Sequence, residues 1–256
     1  MICSKNSAFF MKKIFPILFF AFLLPVLASA NNLPDRDGDG VPDQDELGIY
    51  QTDPDNPDTD NDGYSDWAEL NAGFSPHNPL AVKLEDNDQD HDALSDRLEL
   101  AFGTKILDPD TDQDGFKDGE EIAAGYDPRQ GNGAILKKRI EINLGRQELS
   151  YFLGQVRLGK FPVSSGKKGM WTPVGHFRID GKHPRAWSSY GLWMPWWMSL
   201  KNGYFGIHEL PEWPNGAKEG ADHLGRPVSH GCVRLGVGPA KLLYDWTPIG
   251  TEVFIY

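Results

Sequence analysis

Leu136-Lys137-Lys138-Arg139-Ile140-Glu141-Ile142-Asn143-Leu144 places aliphatic residues in one phase and charged or polar residues between them, and Leu149, Tyr151 and Leu153 resume the rhythm after a turn around Gly145. Side chains of a strand alternate between faces, so a period of two predicts strands with one buried and one wetted face. Outward from there, Val156-Arg157-Leu158, Phe161-Pro162-Val163, Gly175-His176-Phe177-Arg178-Ile179 and Thr251 to Tyr256 read as further strands. One helix is predicted from Pro239 to Trp246, with proline at its start and Leu242, Leu243 and Trp246 on one side. Residues 132–256 are therefore expected to fold as a mainly β domain with a short helix.

Upstream the composition changes. Residues 31–130 hold 28 acidic against 6 basic residues, whereas residues 131–256 hold 9 against 16, within a total net charge of −12. Two compositions imply two domains, with the boundary in Arg129-Gln130-Gly131-Asn132-Gly133. The acidic part, residues 31–131, contains four superimposable twelve-residue segments with Asp at positions 1, 3, 5 and 9 and Glu at position 12. They supply Asp35, Asp37, Asp39, Asp43 and Glu46; Asp58, Asp60, Asp62, Asp66 and Glu69; Asp88, Asp90, Asp92, Asp96 and Glu99; and Asp110, Asp112, Asp114, Asp118 and Glu121.

Carboxylates at this spacing converge on one hard cation, and calcium takes six to eight oxygen ligands in this way. Gly40, Gly63 and Gly115 occupy position 6, where the turn favours a residue tolerant of positive φ; the third segment has Ala93 there. A solvated, disordered tail is the reading that composition alone favours, but four repeats of one carboxylate pattern argue for calcium sites. The apolar residue of each segment sits at position 7 (Val41, Tyr64, Leu94, Phe116), and the spacers are Asp-Pro turns such as Thr52-Asp53-Pro54-Asp55-Asn56-Pro57. On these features the segment from about residue 33 to 128 resembles bacterial thrombospondin type 3 repeats. That resemblance implies a calcium-threaded, largely irregular rod with little apolar core.

The amino terminus carries Lys12 and Lys13, the apolar run Ile14 to Leu27 and the small-x-small sequence Ala28-Ser29-Ala30. This predicts an export signal over residues 1–30, with Met11 an alternative start. A membrane anchor is the competing reading, disfavoured by the short run and its two prolines, Pro16 and Pro25. The expected destination is the periplasm or the cell wall and extracellular space. Cleavage removes Cys3 and leaves Cys232 as the sole thiol. An unpaired thiol in an oxidising compartment is a liability unless its reactivity is used.

Cys232 ends the run Ser229-His230-Gly231-Cys232, and a second histidine, His208, stands in Gly206-Ile207-His208-Glu209. A cysteine nucleophile needs a nearby base, since a thiol with a pKa of about 8.5 is scarcely ionised at neutrality. The adjacent His230 is poorly placed to turn onto the sulfur, so His208 is assigned as the base. The amides of Gly231 and Cys232 are candidates for an oxyanion hole.

His208 followed by Ser229-His230-Gly231-Cys232-Val233-Arg234-Leu235 resembles the signature of the L,D-transpeptidase (YkuD-like) family. Val163-Ser164-Ser165-Gly166, Thr172-Pro173-Val174-Gly175-His176-Phe177, Met194-Pro195-Trp196-Trp197-Met198 and Gly250-Thr251-Glu252-Val253 agree with it. The resemblance implies a β-sandwich and a Cys232 acyl-enzyme formed on the third residue of a peptidoglycan stem tetrapeptide, with D-alanine expelled. Transfer to an amine on a second stem gives a 3-3 cross-link. His230, Gly231 and Ser229 are implied as supporting residues and Arg234 as a contact for an anionic part of the stem. No cofactor is implied for catalysis.

Three functions remain open on sequence: transpeptidation, hydrolysis of the same acyl-enzyme, and calcium-dependent wall binding without catalysis. A wall-anchored or outer-membrane protein is a candidate acyl acceptor or docking partner, and no nucleic acid is expected. Relative to the family, the loop Pro211 to Arg226 is long and Glu209 follows the base. Either the backbone carbonyl at 209 or the Glu209 side chain is then the third member of the catalytic set. The aromatics Trp187, Trp193, Trp196, Trp197, Tyr204 and Phe205 read as core, with a lid over the peptide as the alternative.

Overall fold

The computed structural model describes residues 33–131 and 133–256. The expected signal segment therefore lies outside the described residues.

In the acidic part, each loop runs into a short helix: α1 (Asp43–Asp45, widening into a π-helical turn over Glu46–Tyr50), α2 (Asp66–Ala72), α3 (Asp96–Phe102) and α4 (Asp118–Ala124). Every helix begins at position 9 of its loop. The part is thus less irregular than a rod of turns. It also buries apolar residues, among them Val41, Leu84, Leu94, Phe102, Ile106 and Ile122.

The carboxy-terminal part forms β1 (Lys138–Asn143), β2 (Glu148–Leu153), β3 (Val156–Ser164), β4 (Gly175–Trp187), β5 (Trp193–Leu200), β6 (Phe205–Glu209), β7 (Val233–Leu235), α5 (Pro239–Trp246) and β8 (Glu252–Ile255). The mainly β expectation holds and α5 has the predicted bounds. The strands follow the order β1-β2-β3-β7-β6-β5-β4-β8 and close on themselves, so the sheet has no free edge. Two pairings are parallel, β1 with β8 and β6 with β7. The alternation in β1 and β2 is realised directly, because Ile140, Ile142 and Leu149 are fully buried with Val163, Met198, Ile207, Leu235, Leu243 and Ile255.

β4 runs well past Ile179, through Pro184. The pairing with β5 passes from His183↔Trp197 to Arg185↔Pro195, and Trp196 opposite the proline takes φ 54°. Proline cannot donate to a ladder, and the irregularity accommodates it.

The chain is tied on both sides of the expected boundary. Asp127 N donates to Ala134 O at 2.8 Å and Leu136 N to Gly125 O at 2.9 Å. A second apolar cluster joins the two parts: Leu94, Phe102 and Ile122 pack with Leu153, flanked by Leu98, Leu136, Val156 and Leu158.

Candidate active site and cation-binding loops

The parallel pairing of β6 with β7 sets Ile207 beside Val233 and His208 beside Arg234. Cys232, one residue before β7, therefore lies level with Gly206. Gly206 must be glycine, since a Cβ there would sit 2.5 Å from Met198 O and 2.8 Å from the Trp197 ring. Its amide faces the Cys232 sulfur and favours the thiolate, as does the Arg234 charge, but burial dominates and pushes the thiol up from its ordinary value.

His208 is 2% exposed. Its Nδ1 lies 2.5 Å from the carbonyl oxygen of Glu209. The carbonyl can only accept, so Nδ1 carries the proton and Nε2 keeps the lone pair of a base. Burial pulls the imidazole pKa down to about 3; the Glu209 carbonyl opposes this and the Arg234 charge reinforces it. Trp197 stacks on the ring at 5.7 Å between centroids. Of the two groups at position 209, the backbone carbonyl is the one that meets the ring. The Glu209 side chain turns to Lys218 Nζ at 2.5 Å instead.

The turn before Cys232 is locked by its own hydrogen bonds. Ser229 Oγ donates to Cys232 O at 2.5 Å and accepts from Gly231 N at 3.2 Å. Thr172 Oγ1 donates to Gly231 O at 2.9 Å and accepts from Gly166 N at 2.8 Å. Gly231 has φ 120°, a conformation that L residues rarely adopt. The Gly231 amide thus already has a partner in Ser229 Oγ, a contact an oxyanion would have to share or displace.

His230 is at the exposed rim, stacked with Tyr190 at 4.2 Å and 3.1 Å from Lys167 Nζ. Burial, then the Lys167 and Arg234 charges, hold its pKa below the ordinary value. Arg234 is 5% exposed, with Glu219 Oε1 at 3.4 Å and His223 Nδ1 at 3.5 Å. The long loop after β6 supplies both of these neighbours.

Cys232, His208, His230, Gly231, Ser229 and Arg234 all line one cleft of about 920 Å³. Its walls include Trp171, Trp187, Tyr190, Tyr204 and Trp213, all exposed. All four of Trp187, Trp197, Tyr204 and Phe205 line the cleft, Trp197 and Phe205 as buried residues and Trp187 and Tyr204 as exposed ones. Sequence reasoning missed the Gly206 amide, the Thr172 lock and Glu219. Thr172 stood in a run already noted, but nothing in the run told its hydroxyl apart from any other.

Residues 137–255 match the L,D-transpeptidase catalytic domain. The carboxy-terminal part of the chain is an L,D-transpeptidase catalytic domain. A candidate L,D-transpeptidase of Bacillus licheniformis is 26% identical over 54% of this chain and 78% of its own. One of Bacillus subtilis is 32% identical over 45% of this chain and 64% of its own. An L,D-transpeptidase structure from Stackebrandtia nassauensis superimposes with a TM-score of 0.40 at 27% identity, over 47% of this chain and 55% of that one. Residues 35–57, 58–73 and 110–128 match the bacterial TSP3 repeat.

In each acidic loop the position 1, 3 and 5 aspartates bring ligand oxygens within 4.8 Å of one another. The position 12 glutamates are buried behind them, and Glu46, Glu69, Glu99 and Glu121 each keep at least one oxygen without a partner. Burial followed by neighbouring aspartates raises their pKa values, to about 7 for Glu46 and Glu121, 8 for Glu69 and 9 for Glu99. Orphaned buried carboxylates beside convergent aspartates fit a divalent cation.

Position 9 has a structural task of its own. Asp43, Asp66, Asp96 and Asp118 do not join these clusters; their carboxylates accept from the loop's own second residue. Thr59 donates to Asp66 through N at 2.9 Å and Oγ1 at 2.7 Å, and Thr111 does the same to Asp118. Arg36 N reaches Asp43 at 2.9 Å and Gln89 N reaches Asp96 at 3.1 Å. A carboxylate that starts a helix and accepts from a backbone amide seven residues earlier closes the loop, whatever else it holds.

Proposed function

We propose that this chain is an exported cysteine L,D-transpeptidase that acts on peptidoglycan stem peptides in the periplasm or cell wall. The observation that carries the mechanism is His208, buried beside the nucleophile's turn with Nδ1 committed to the Glu209 carbonyl. At neutral pH both the imidazole and the thiol are then uncharged, so the proton moves as the sulfur attacks.

Sγ of Cys232 bonds to the carbonyl carbon of the third stem residue while its proton passes to His208 Nε2. Collapse breaks the bond to the terminal D-alanine, whose amine leaves with that proton. The thioester is then attacked by an acceptor amine, which gives a proton to His208; that proton returns to the sulfur as the new amide forms. An amine on a second stem yields a 3-3 cross-link, and a protein amine yields a wall attachment. Arg234 is suited to hold a carboxylate of the stem, and the repeats are read as a calcium-stiffened spacer.

The test is incubation of the protein with disaccharide-tetrapeptide, with and without an amine acceptor, followed by mass spectrometry. Release of D-alanine with an amide product is expected, and Cys232→Ala is expected to lower it by about 10³-fold or more. Unchanged D-alanine release in that variant would overturn the mechanism. Free tripeptide as the sole product would make the enzyme a carboxypeptidase by the same acyl-enzyme.

A further inference from the structure

The third acidic loop, Asp88 to Glu99, lies outside the segments that match the TSP3 repeat. Its position 6 is Ala93, yet Ala93 holds φ 78°, beside 108°, 101° and 96° at Gly40, Gly63 and Gly115. The loop therefore keeps the shape of its siblings in spite of the side chain. Oxygens of Asp88, Asp90 and Asp92 converge within 4.8 Å. Glu99 is fully buried with neither carboxylate oxygen partnered, and both oxygens of Asp90 are likewise unpartnered.

This loop is also the one joined to the catalytic domain. Leu94 stands between Asp92 and Asp96 and is 3% exposed; of its equivalents Tyr64 and Phe116 are 65% and 61% exposed, and Val41, equally buried, is not in the cluster that reaches the catalytic domain. Leu94, with Leu98 and Phe102 of α3, packs on Leu153, Val156 and Leu158 of the β2–β3 hairpin. Asp92 Oδ2 accepts from Gly119 N of α4 at 2.7 Å, and a Cβ on Gly119 would meet Asp92 O at 2.4 Å. The loop is thus pinned between the next repeat and the catalytic domain.

We propose that Asp88–Glu99 is a calcium site whose occupancy clamps the repeats onto the β2–β3 hairpin of the catalytic domain. The proposal rests on the calcium reading of the repeats given above. Without the ion, both oxygens of the buried Glu99 side chain lack a partner, and the loop relieves this by opening to water. Leu94 and Leu98 flank the aspartates and the glutamate in the chain, so opening withdraws both from the hairpin. Coupling of this kind is reciprocal: what calcium does to docking, docking does to calcium affinity.

The test uses the full chain, with calcium stoichiometry from equilibrium dialysis and hydrogen exchange of residues 148–164 read with and without calcium. Four bound ions and calcium-dependent protection of the hairpin are expected. In Glu99→Gln, three ions remain and the protection is lost while the other loops stay protected. A milder change on the catalytic side, Val156→Ser, is expected to weaken one of the four sites by about 5-fold or more.

Three ions in the unmodified chain overturn the site and leave the other repeats intact. Four ions without hairpin protection, or with no affinity change in Val156→Ser, overturn the clamp alone. No bound calcium at all overturns the proposal together with the reading it rests on.

Discussion

The two halves of the molecule treat buried polar groups in opposite ways. Among the described residues, eleven of the twelve buried side-chain oxygens without a partner belong to the acidic repeats, the other being Thr247. The catalytic half instead ties off what it buries: His208 to Glu209 O, Ser229 to Cys232 O, Thr172 to Gly231 O and Gln147 to Ser165. A folded protein rarely leaves such groups orphaned, because each costs about 1–3 kcal/mol. One half therefore satisfies itself as a polypeptide, and the other leaves carboxylates that fit a cation.

The most forceful way to break this contrast is to remove calcium. At a free concentration a hundred-fold above Kd, one site adds about 2.7 kcal/mol, so several sites together outweigh the stability of a small domain. Chelation is expected to melt the repeats and leave the barrel folded, as two transitions by calorimetry where calcium gives a higher first one.

The pH dependence should invert as well. The raised glutamates, Glu46 and Glu121 near 7, Glu69 near 8 and Glu99 near 9, bind protons more tightly folded than unfolded in the calcium-free protein. Their contribution is fully present below the ordinary carboxylate range and is lost as pH rises through about 7 to 9. Calcium holds the same groups ionised, so the loaded repeats lose stability on acidification instead. Repeats that melt at the same temperature at pH 5 and pH 8 without calcium would break the contrast.

The sequence carried the repeats and the motif around Cys232 because both are written in spacing: carboxylates at fixed intervals, and a cysteine two residues after a histidine. It carried β1, β2 and α5 because their burial follows a simple period. What it did not carry depends on tertiary contact. Asp66 and Asp118 look like ligands in the repeat, yet each faces a threonine at position 2 of its own loop. Glu219 sits in a long loop with no pattern and reaches Arg234 only because the barrel folds the loop back. The closure of β1 against β8 joins residues more than a hundred positions apart, which no local signal specifies.

The catalytic half can be tested for completeness through His208. With the imidazole pulled to about 3 and the thiol pushed up, the neutral pair is the reactive form at neutral pH. Acylation by a carbapenem, followed by mass spectrometry, is expected to show no break near pH 6.5 and to rise only as the thiol begins to ionise. His208→Ala is expected to lower the rate by about 10²–10⁴-fold at pH 7 and to recover part of it at alkaline pH, where hydroxide replaces the base. A clear inflection near 6.5 in the unmodified protein would mean a charged imidazole, and with it a thiolate–imidazolium pair that the buried geometry does not favour.

The smallest effect sharpens the contrast inside the repeats. Ala93 adopts a left-handed backbone that costs a residue with a Cβ roughly 1–2 kcal/mol, and glycine removes that cost while adding about 0.5–1 kcal/mol of chain entropy to the unfolded state. Ala93→Gly is therefore expected to stabilise the calcium-loaded repeats by up to about 1 kcal/mol in urea unfolding. Calcium affinity at the third site is expected to rise with it, because less strain then opposes the closed loop. A loss of stability would mean that the Ala93 methyl contributes more than its backbone strain removes. The third loop would then keep its shape through packing against its neighbours, and the ion would be correspondingly less necessary to it.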